Sequence, residues 1–282
     1  MIIKYVCSNG KEYNLIGNKM RATSGVFHKY EWKKSASELA MGDDVYGFTK
    51  EAATYSIVFA LRGTLDERRK FLNELQDAFE YDIANVAPGR IWYGGYYIDC
   101  FITAIENRKS DTWNNWTECE TQIYCPYPFW SMEEKKSFWK DSENKNEKYI
   151  FLDYKYGYPY DYSRDESGLQ NWEINHFRSS NFKMIIYGKC ANPRIAINGH
   201  VYQINDTLET TEYIEIDSRR KTVTKYLSNG TKQNIFAKRW KEQSVFELIP
   251  SGNLIFTWSG EFGFDMIVYK ERSAPEYGPD TN

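Results

Sequence analysis

Histidine is scarce in this chain: His28, His176 and His200 are the only three in 282 residues. None lies in a His-Glu-x-x-His run or beside cysteines at metal-ligand spacing, so a zinc site has no local signature. Gly-x-Ser-x-Gly, Cys-x-x-Cys and Gly-x-Gly-x-x-Gly are also absent. That removes the local motifs of serine hydrolases, thiol redox proteins and dinucleotide binders. No 18 apolar residues run together, and the opening MIIKYVCSNGKEYNL lacks a basic region followed by an apolar run and a small-residue cleavage site. The expectation is a soluble chain, not exported by a signal peptide and without a membrane partner. An excess of one charge is missing too. With 36 Lys and Arg against 39 Asp and Glu, the net charge is −3, which argues against a protein that binds by neutralising many phosphates.

Cysteines are few and odd in number: Cys7, Cys100, Cys119, Cys125 and Cys190. If TECETQIYC is one strand, Cys119 and Cys125 stand about 20 Å apart, too far for a disulfide or a shared zinc. Small buried thiols are expected instead. The sequons at Asn115, Asn205 and Asn229 carry no weight in a chain without a secretory signal.

What the chain has in quantity is aromatic side chains, 17% of all residues, with 23 Tyr and 9 Trp. That composition suits half-buried sheets and large interfaces. The length suggests two domains. Thr54 to Arg62 alternates Tyr55, Ile57, Phe59 and Leu61 against smaller residues, which predicts a strand. A helix follows, with Thr64 as N-cap, Glu67 completing a capping box, and Leu65, Arg68, Leu72, Leu75 and Phe79 on one face. Gly94-Gly95 then reads as a two-residue hairpin loop in PGRIWYGGYYIDCFI, with Tyr96, Ile98, Cys100, Ile102 and Ala104 on one face of the return strand. A phosphate loop would need its glycines between a strand and a helix. Asn115 to Cys125 predicts a third strand, ended by Pro126 and Pro128.

Glu133 to Lys148 holds ten charged residues in sixteen and predicts a connection or surface helix at a domain boundary. Next, Tyr154, Tyr156, Tyr158, Tyr160 and Tyr162 recur at every second position, a candidate partner surface. Beyond Asn181 eight short strands are expected: FKMIIYG, RIAING, HVYQI, EYIEID, KTVTKY, SVFELI, NLIFTW and FDMIVYK. Asn198-Gly199 and Asn229-Gly230 predict type I′ turns between them, with further turns at Asp217–Arg220 and Pro250–Asn253. The pattern is that of a β-sandwich.

The motifs FLNELQDAFEY, PGRIWYGGYYIDCFITAIEN, CPYPFW, YPYDY, NPRIAING, EYIEID, SNGTKQNIF and ELIPSGNLIFTWSGEFGFDMIVYKER, in that order, resemble the distal tail proteins of long non-contractile-tailed bacteriophages. The resemblance implies a mainly β fold with one flanking helix: a tail-tube-like, ring-forming domain over 1–145, a Tyr-rich connection over 146–180, and a galectin-like β-sandwich over 181–282. It implies a homohexameric ring at the virion's tail tip, assembled in the bacterial host cytoplasm. The ring would join the tail tube protein to the tail-associated tip protein and to receptor-binding or baseplate proteins, with DNA only as passing cargo. No catalysis and no cofactor are implied.

Sugar-binding galectins carry His-x-Asn-x-Arg, whereas His200 is followed by Val201-Tyr202 and His176 by Phe177-Arg178. A fold-level likeness therefore does not license lectin activity. The alternative reading is a carbohydrate-binding module for host-wall attachment through Trp258, Glu261 and the tyrosine ladder. A tail-tip glycosidase using carboxylates such as Glu261 and Asp265 is a third. Met41 to Gly47 reads as a loop and is a candidate arm that clasps a neighbouring subunit, since a ring needs a heterologous contact.

Overall fold

A computed structural model of the chain describes residues 3–25, 27–111, 115–140 and 168–276. They form two units, one of the residues up to 132 joined by those from 271 on, the other of 133–270.

In the first unit the elements are β1 (Ile3–Val6), β2 (Glu12–Asn14), β3 (Met20–Gly25), β4 (Lys33–Glu38), β5 (Asp43–Thr49), β6 (Ala53–Arg62), α1 (Leu65–Ala84), β7 (Gly89–Tyr93), β8 (Tyr96–Asp111) and β9 (Trp116–Cys125). Two antiparallel sheets share the long strand β8. Its first half pairs with β7, which continues through β1 to β2. Its second half pairs with β9, which continues through β6 to β3. The sheet change coincides with a bulge between Ile102 and Ala104, the device by which strands bend between sheets. The bulge also corrects the expected face of the return strand: Tyr96, Ile98, Cys100 and Ile102 are buried, but Ala104 is exposed.

Tyr55, Ile57, Phe59 and Leu61 of β6 are all buried, as their alternation predicts. Thr64 caps α1 and Glu67 closes the capping box. The helix face lies slightly off the expected one. Leu65 is exposed, and Arg68, Leu75, Ala78, Phe79 and Asp82 are buried. The chain then turns through Gly94-Gly95 as expected; only Gly94 takes positive φ, 59°, which fits a type II′ loop.

In the second unit the elements are the later part of β10 (Trp130–Phe138), then β11 (Gly168–Ile174), β12 (Asn181–Tyr187), β13 (Cys190–Ala191), β14 (Arg194–Ile197), β15 (His200–Gln203), β16 (Thr207–Leu208), β17 (Tyr213–Asp217), β18 (Thr222–Tyr226), β19 (Lys232–Asn234), β20 (Gly252–Trp258) and most of β21 (Gly263–Arg272). One sheet runs β19-β18-β17-β12-β21-β10 and the other β11-β20-β14-β15. Both bury side chains in one core, including Phe182, Met184, Ile214, Phe256 and Phe264. This is the sandwich arrangement.

Three expectations change here. The charged run from Glu133 begins as strand, not as connection or helix, because its charges pair with neighbours: Lys135 with Asp265 at 2.6 Å, Glu134 with Lys270, and Lys136 Nζ donating to Asn171 O at 2.6 Å. Its Phe138 is fully buried. SVFELI forms no strand beyond a bridge from Ile249 to Ser180, since consecutive Val245 and Phe246 are both buried and alternation is lost. Asn198-Gly199 is the expected I′ turn, with φ 49° and 86°. At Asn229-Gly230 only Gly230 takes positive φ, 80°, and Leu227 N–H donates to Thr231 O, making a three-residue loop instead.

Candidate assembly surface

The hairpin β4–β5 pairs only with itself among the described residues. Its register runs from Lys33 opposite Thr49 to Glu38 opposite Asp43, with an irregularity between Ser35 and Ala36. Leu39 N–H donates to Gly42 O at 2.9 Å, and Gly42 takes φ 87° to close the loop. No residue of either strand is buried. Met41 is 95% exposed, Tyr46 74% and Phe48 61%, with Leu39 and Val45 also open. A lone two-stranded hairpin is marginal in water, and apolar side chains gathered on one are a mark of a contact surface. Asp43 to Gly47 is therefore strand, and only the residues up to Gly42 match the loop expected around Met41.

The base of the hairpin is fastened to the first unit. Lys50 Nζ stands 4.7 Å from the Phe129 ring centre, 5.7 Å from that of Trp32 and 5.8 Å from that of Tyr30. It also donates to Ser273 O at 3.4 Å. Trp32 and Phe129 lie 5.9 Å apart, and Lys33 pairs with Glu51 at 2.7 Å. Cation–π contacts of this kind hold best where water is partly excluded. The result is a fixed root and an exposed tip.

None of the thiols is poised as a nucleophile. All five cysteines are buried and unpaired with one another. Burial pushes the Cys119 and Cys190 thiols up to about 11 and Cys125 up to about 12, so they stay protonated. Cys7 donates to the buried Asp82 carboxylate at 3.1 Å, and Asp82 also accepts from Ser8 N–H at 2.9 Å and from the Tyr5 hydroxyl. These bonds tie β1 to α1. A Cβ on Gly89 would strike Asp82 and the Tyr5 ring, so the first residue of β7 has to be small. Burial, then Asp82, raises the Tyr5 hydroxyl far above its ordinary range. No group of three or more His, Cys, Asp or Glu side chains is placed to hold a metal among the described residues.

Of the residues singled out by sequence, Tyr154, Tyr156, Tyr158, Tyr160 and Tyr162 lie outside the described residues. Trp258 is buried, with its indole N–H donating to Phe262 O at 3.1 Å and its ring centre 5.8 Å from Phe138 and 5.4 Å from Phe264. Glu261 is exposed. Asp265 is held by Lys135. No arrangement brings Trp258 and Glu261 to a common open face. Sequence reasoning missed the hairpin's extent and aromatic root, although apolar Leu39, Met41, Val45 and Phe48 set among charged residues were the available signal.

No family model and no curated protein matches this chain. Solved structures do. They share its mainly β fold, the fold class that the sequence resemblance implied. One match is the SPP1 Dit protein, described as a paradigm of the hub adsorption apparatus in phages infecting Gram-positive bacteria, at TM-score 0.62 and 9% identity over 96% of this chain and 100% of that one. Another is the phage P2 baseplate in its activated conformation with Ca, at 0.62 and 12% over 98% and 100%. The same baseplate with Sr matches at 0.63 and 12% over 97% and 99%. At such identities the fold is what is shared.

Proposed function

We propose that this chain is a structural hub of a phage tail tip. It would form a homohexameric ring that joins the tail tube protein to the tail-associated tip protein and to receptor-binding or baseplate proteins, with DNA passing through. The carrying observation is that a hub fold matches nearly the whole chain at both ends of the comparison. The unpartnered hairpin supports it, because a closed ring needs two different surfaces on each subunit. In this reading Lys33 to Thr49 is the donor arm, the first unit is the tail-tube-like ring former, and the second is the galectin-like sandwich. No catalytic group and no cofactor take part, and the place of action is the virion, after assembly in the host cytoplasm. The tyrosines from Tyr154 to Tyr162 remain a proposed partner surface. Sugar stacking on Trp258 gains no support, because Phe138 and Phe264 pack against that ring.

The test is the mass of the purified protein by light scattering over a range of concentrations, with negative-stain images, for the parent and for the triple variant M41D/Y46D/F48D. A six-membered ring with a central hole is expected for the parent, and a monomer for the variant. Rings formed equally well by the variant would remove the arm from the reading. A parent that stays monomeric even with its tail tube partner would remove the hub.

A further inference from the structure

The run Arg219 to Lys241 carries eight Lys and Arg and no Asp or Glu. In a chain of net charge −3, everything outside that run is therefore net acidic, and the cations are concentrated in the second unit from the β17–β18 turn through β19 to the one-turn 3-10 helix Phe236–Lys238.

Three of these cations pair with carboxylates and a fourth stacks on a ring. Lys225 is buried and pairs with Glu212 at 2.8 Å, Lys238 pairs with Asp206 at 2.9 Å, Arg220 lies 4.0 Å from Asp217, and Arg219 stacks 3.7 Å over Tyr269. Lys221, Lys232, Arg239 and Lys241 have no carboxylate within ion-pair distance among the described residues, and all but the half-buried Arg239 are exposed. Lysine on an edge strand deters sheet-to-sheet association, which accounts for Lys232 alone. Lys221, Arg239 and Lys241 lie off the strands.

Rings adjoin three of these four cations. Lys221 Nζ stands 5.5 Å from the Phe246 centre, Phe246 stacks on Phe236 at 5.9 Å and 19°, and the Arg239 guanidinium lies 3.8 Å over Phe236. On the strands, Lys232 stands 5.4 Å over Tyr226, which stacks on Tyr213 at 4.4 Å and 9°. The rings space the charges, and their faces are engaged by cations or by each other. A single-stranded nucleic acid draws its affinity from open aromatic faces on which bases stack, and such faces are not offered here. The surface reads charge. Three of the four cations are lysines, which bind phosphate as point charges.

We propose that Lys221, Lys232, Arg239 and Lys241 form a docking surface for a base-free phosphodiester polymer of the poly(glycerol phosphate) type, bound through its backbone charges. The choice of a bacterial surface polymer rests on the tail-tip reading; the charge arrangement does not. Binding is driven by release of the polymer's counterions, and four neutralised phosphates make affinity fall about 50-fold between 50 and 200 mM salt.

The experiment titrates fluorescein-labelled poly(glycerol phosphate) with the full chain by anisotropy at both salt concentrations. A duplex DNA of equal charge and polyglutamate are the other probes. The parent binds poly(glycerol phosphate) at 50 mM salt with the stated salt dependence. The variant K221Q/K232Q/R239Q/K241Q loses at least tenfold, while K11Q/K29Q/R69Q/K70Q, which removes four exposed cations from the first unit, binds as the parent does. Should the first variant fail to fold, K221Q, K232Q and K241Q singly, at exposed positions, each weaken binding two- to threefold. No binding by the parent, equal loss in both quadruple variants, no loss in the first, or equal or tighter binding of DNA or polyglutamate would each overturn the proposal. Light scattering on the same samples separates it from the hub reading: rings that ignore the polymer sink only this proposal, and a chain that binds polymer but forms no ring with its tail tube partner sinks only the other.

Discussion

Replacing Phe138 with alanine probes the sandwich at its centre. The ring is fully buried, lies 4.4 Å from Phe264 at 6° and 4.5 Å from Phe256, and meets Trp258 edge-on at 5.8 Å. Truncating a buried phenylalanine costs about 3 to 5 kcal/mol through lost transfer energy and the cavity left behind, and the aromatic pairs add to the loss. A loss of about 4 kcal/mol is a factor of about 10³ in the opening equilibrium and a large part of a domain's usual 5 to 15 kcal/mol. A chain of two units need not unfold in one step, so a single melting curve is a poor readout. Hydrogen exchange followed by mass spectrometry resolves the units. Peptides from β12, β20 and β21 should lose about three orders of magnitude of protection in F138A, while those from β1, β6 and β9 keep theirs. A loss of less than tenfold in β20 and β21 would show that the ring cluster is not what holds the sandwich. Equal loss in both units would show that they unfold together.

Three further outcomes are expected. Val86 follows α1 in the left-handed region at φ 50°, 80% exposed, while Val86 N–H bonds Ile83 O and Ala87 N–H bonds Asp82 O, each at 3.0 Å; this is the position where helices favour glycine. V86G should gain about 1 kcal/mol, seen as about fivefold more hydrogen-exchange protection in peptides of the first unit, and a loss of protection there would refute the strain. D82A leaves the Tyr5 hydroxyl, the Cys7 thiol and the Ser8 N–H without their acceptor and should cost at least about 3 kcal/mol in a denaturant titration of the first unit; a cost below about 1 kcal/mol would show that water replaces the carboxylate. Alkali should weaken both units. Burial pushes the folded thiols of Cys119 and Cys190 up to about 11 and that of Cys125 up to about 12, against an ordinary 9.0, and raises Cys100 too. Above pH 9 the unfolded chain therefore releases protons that the folded chain keeps. Stability is complete below pH 9 and falls by about 1.4 kcal/mol per pH unit per thiol as pH rises toward 11. The first unit, which holds four of the five raised thiols, should fall more steeply than the second, and a denaturation midpoint unchanged from pH 8 to 10 would refute the assignment.

What sequence revealed was local chemistry with one reading. Thr64 with Glu67, Gly94-Gly95 and Asn198-Gly199 each satisfy backbone needs that few residues meet, and each stands where expected. The β10 strand was hidden because its charges are used in cross-strand pairs instead of hydration, so composition argued for the opposite state. The β4–β5 hairpin was hidden for a related reason. With no buried face, its strands need no alternation, and KKSASE carries none. Asp82 sits one turn beyond Phe79 on a helix face read only as far as that ring, and nothing in the local sequence shows that a tyrosine of β1 and the thiol just after that strand converge on it. The cation run of the second unit was open to view in the sequence, yet a nearly neutral total concealed it.

The described C-terminal residues complete the first unit. Tyr127 donates to the buried Glu271 at 2.8 Å, Ser273 O accepts from Lys50, and Arg272 pairs with Glu276 at 2.6 Å. The ribosome therefore delivers the whole of the second unit before the first receives its last part. Residues 133–270 can fold on a chain whose earlier portion still waits, so the aromatic root of the hairpin gains its final hydrogen bond only when synthesis has passed Ser273. Translation itself would then set when the arm becomes fixed, and a nascent chain stalled before that point would expose an arm without its last tether.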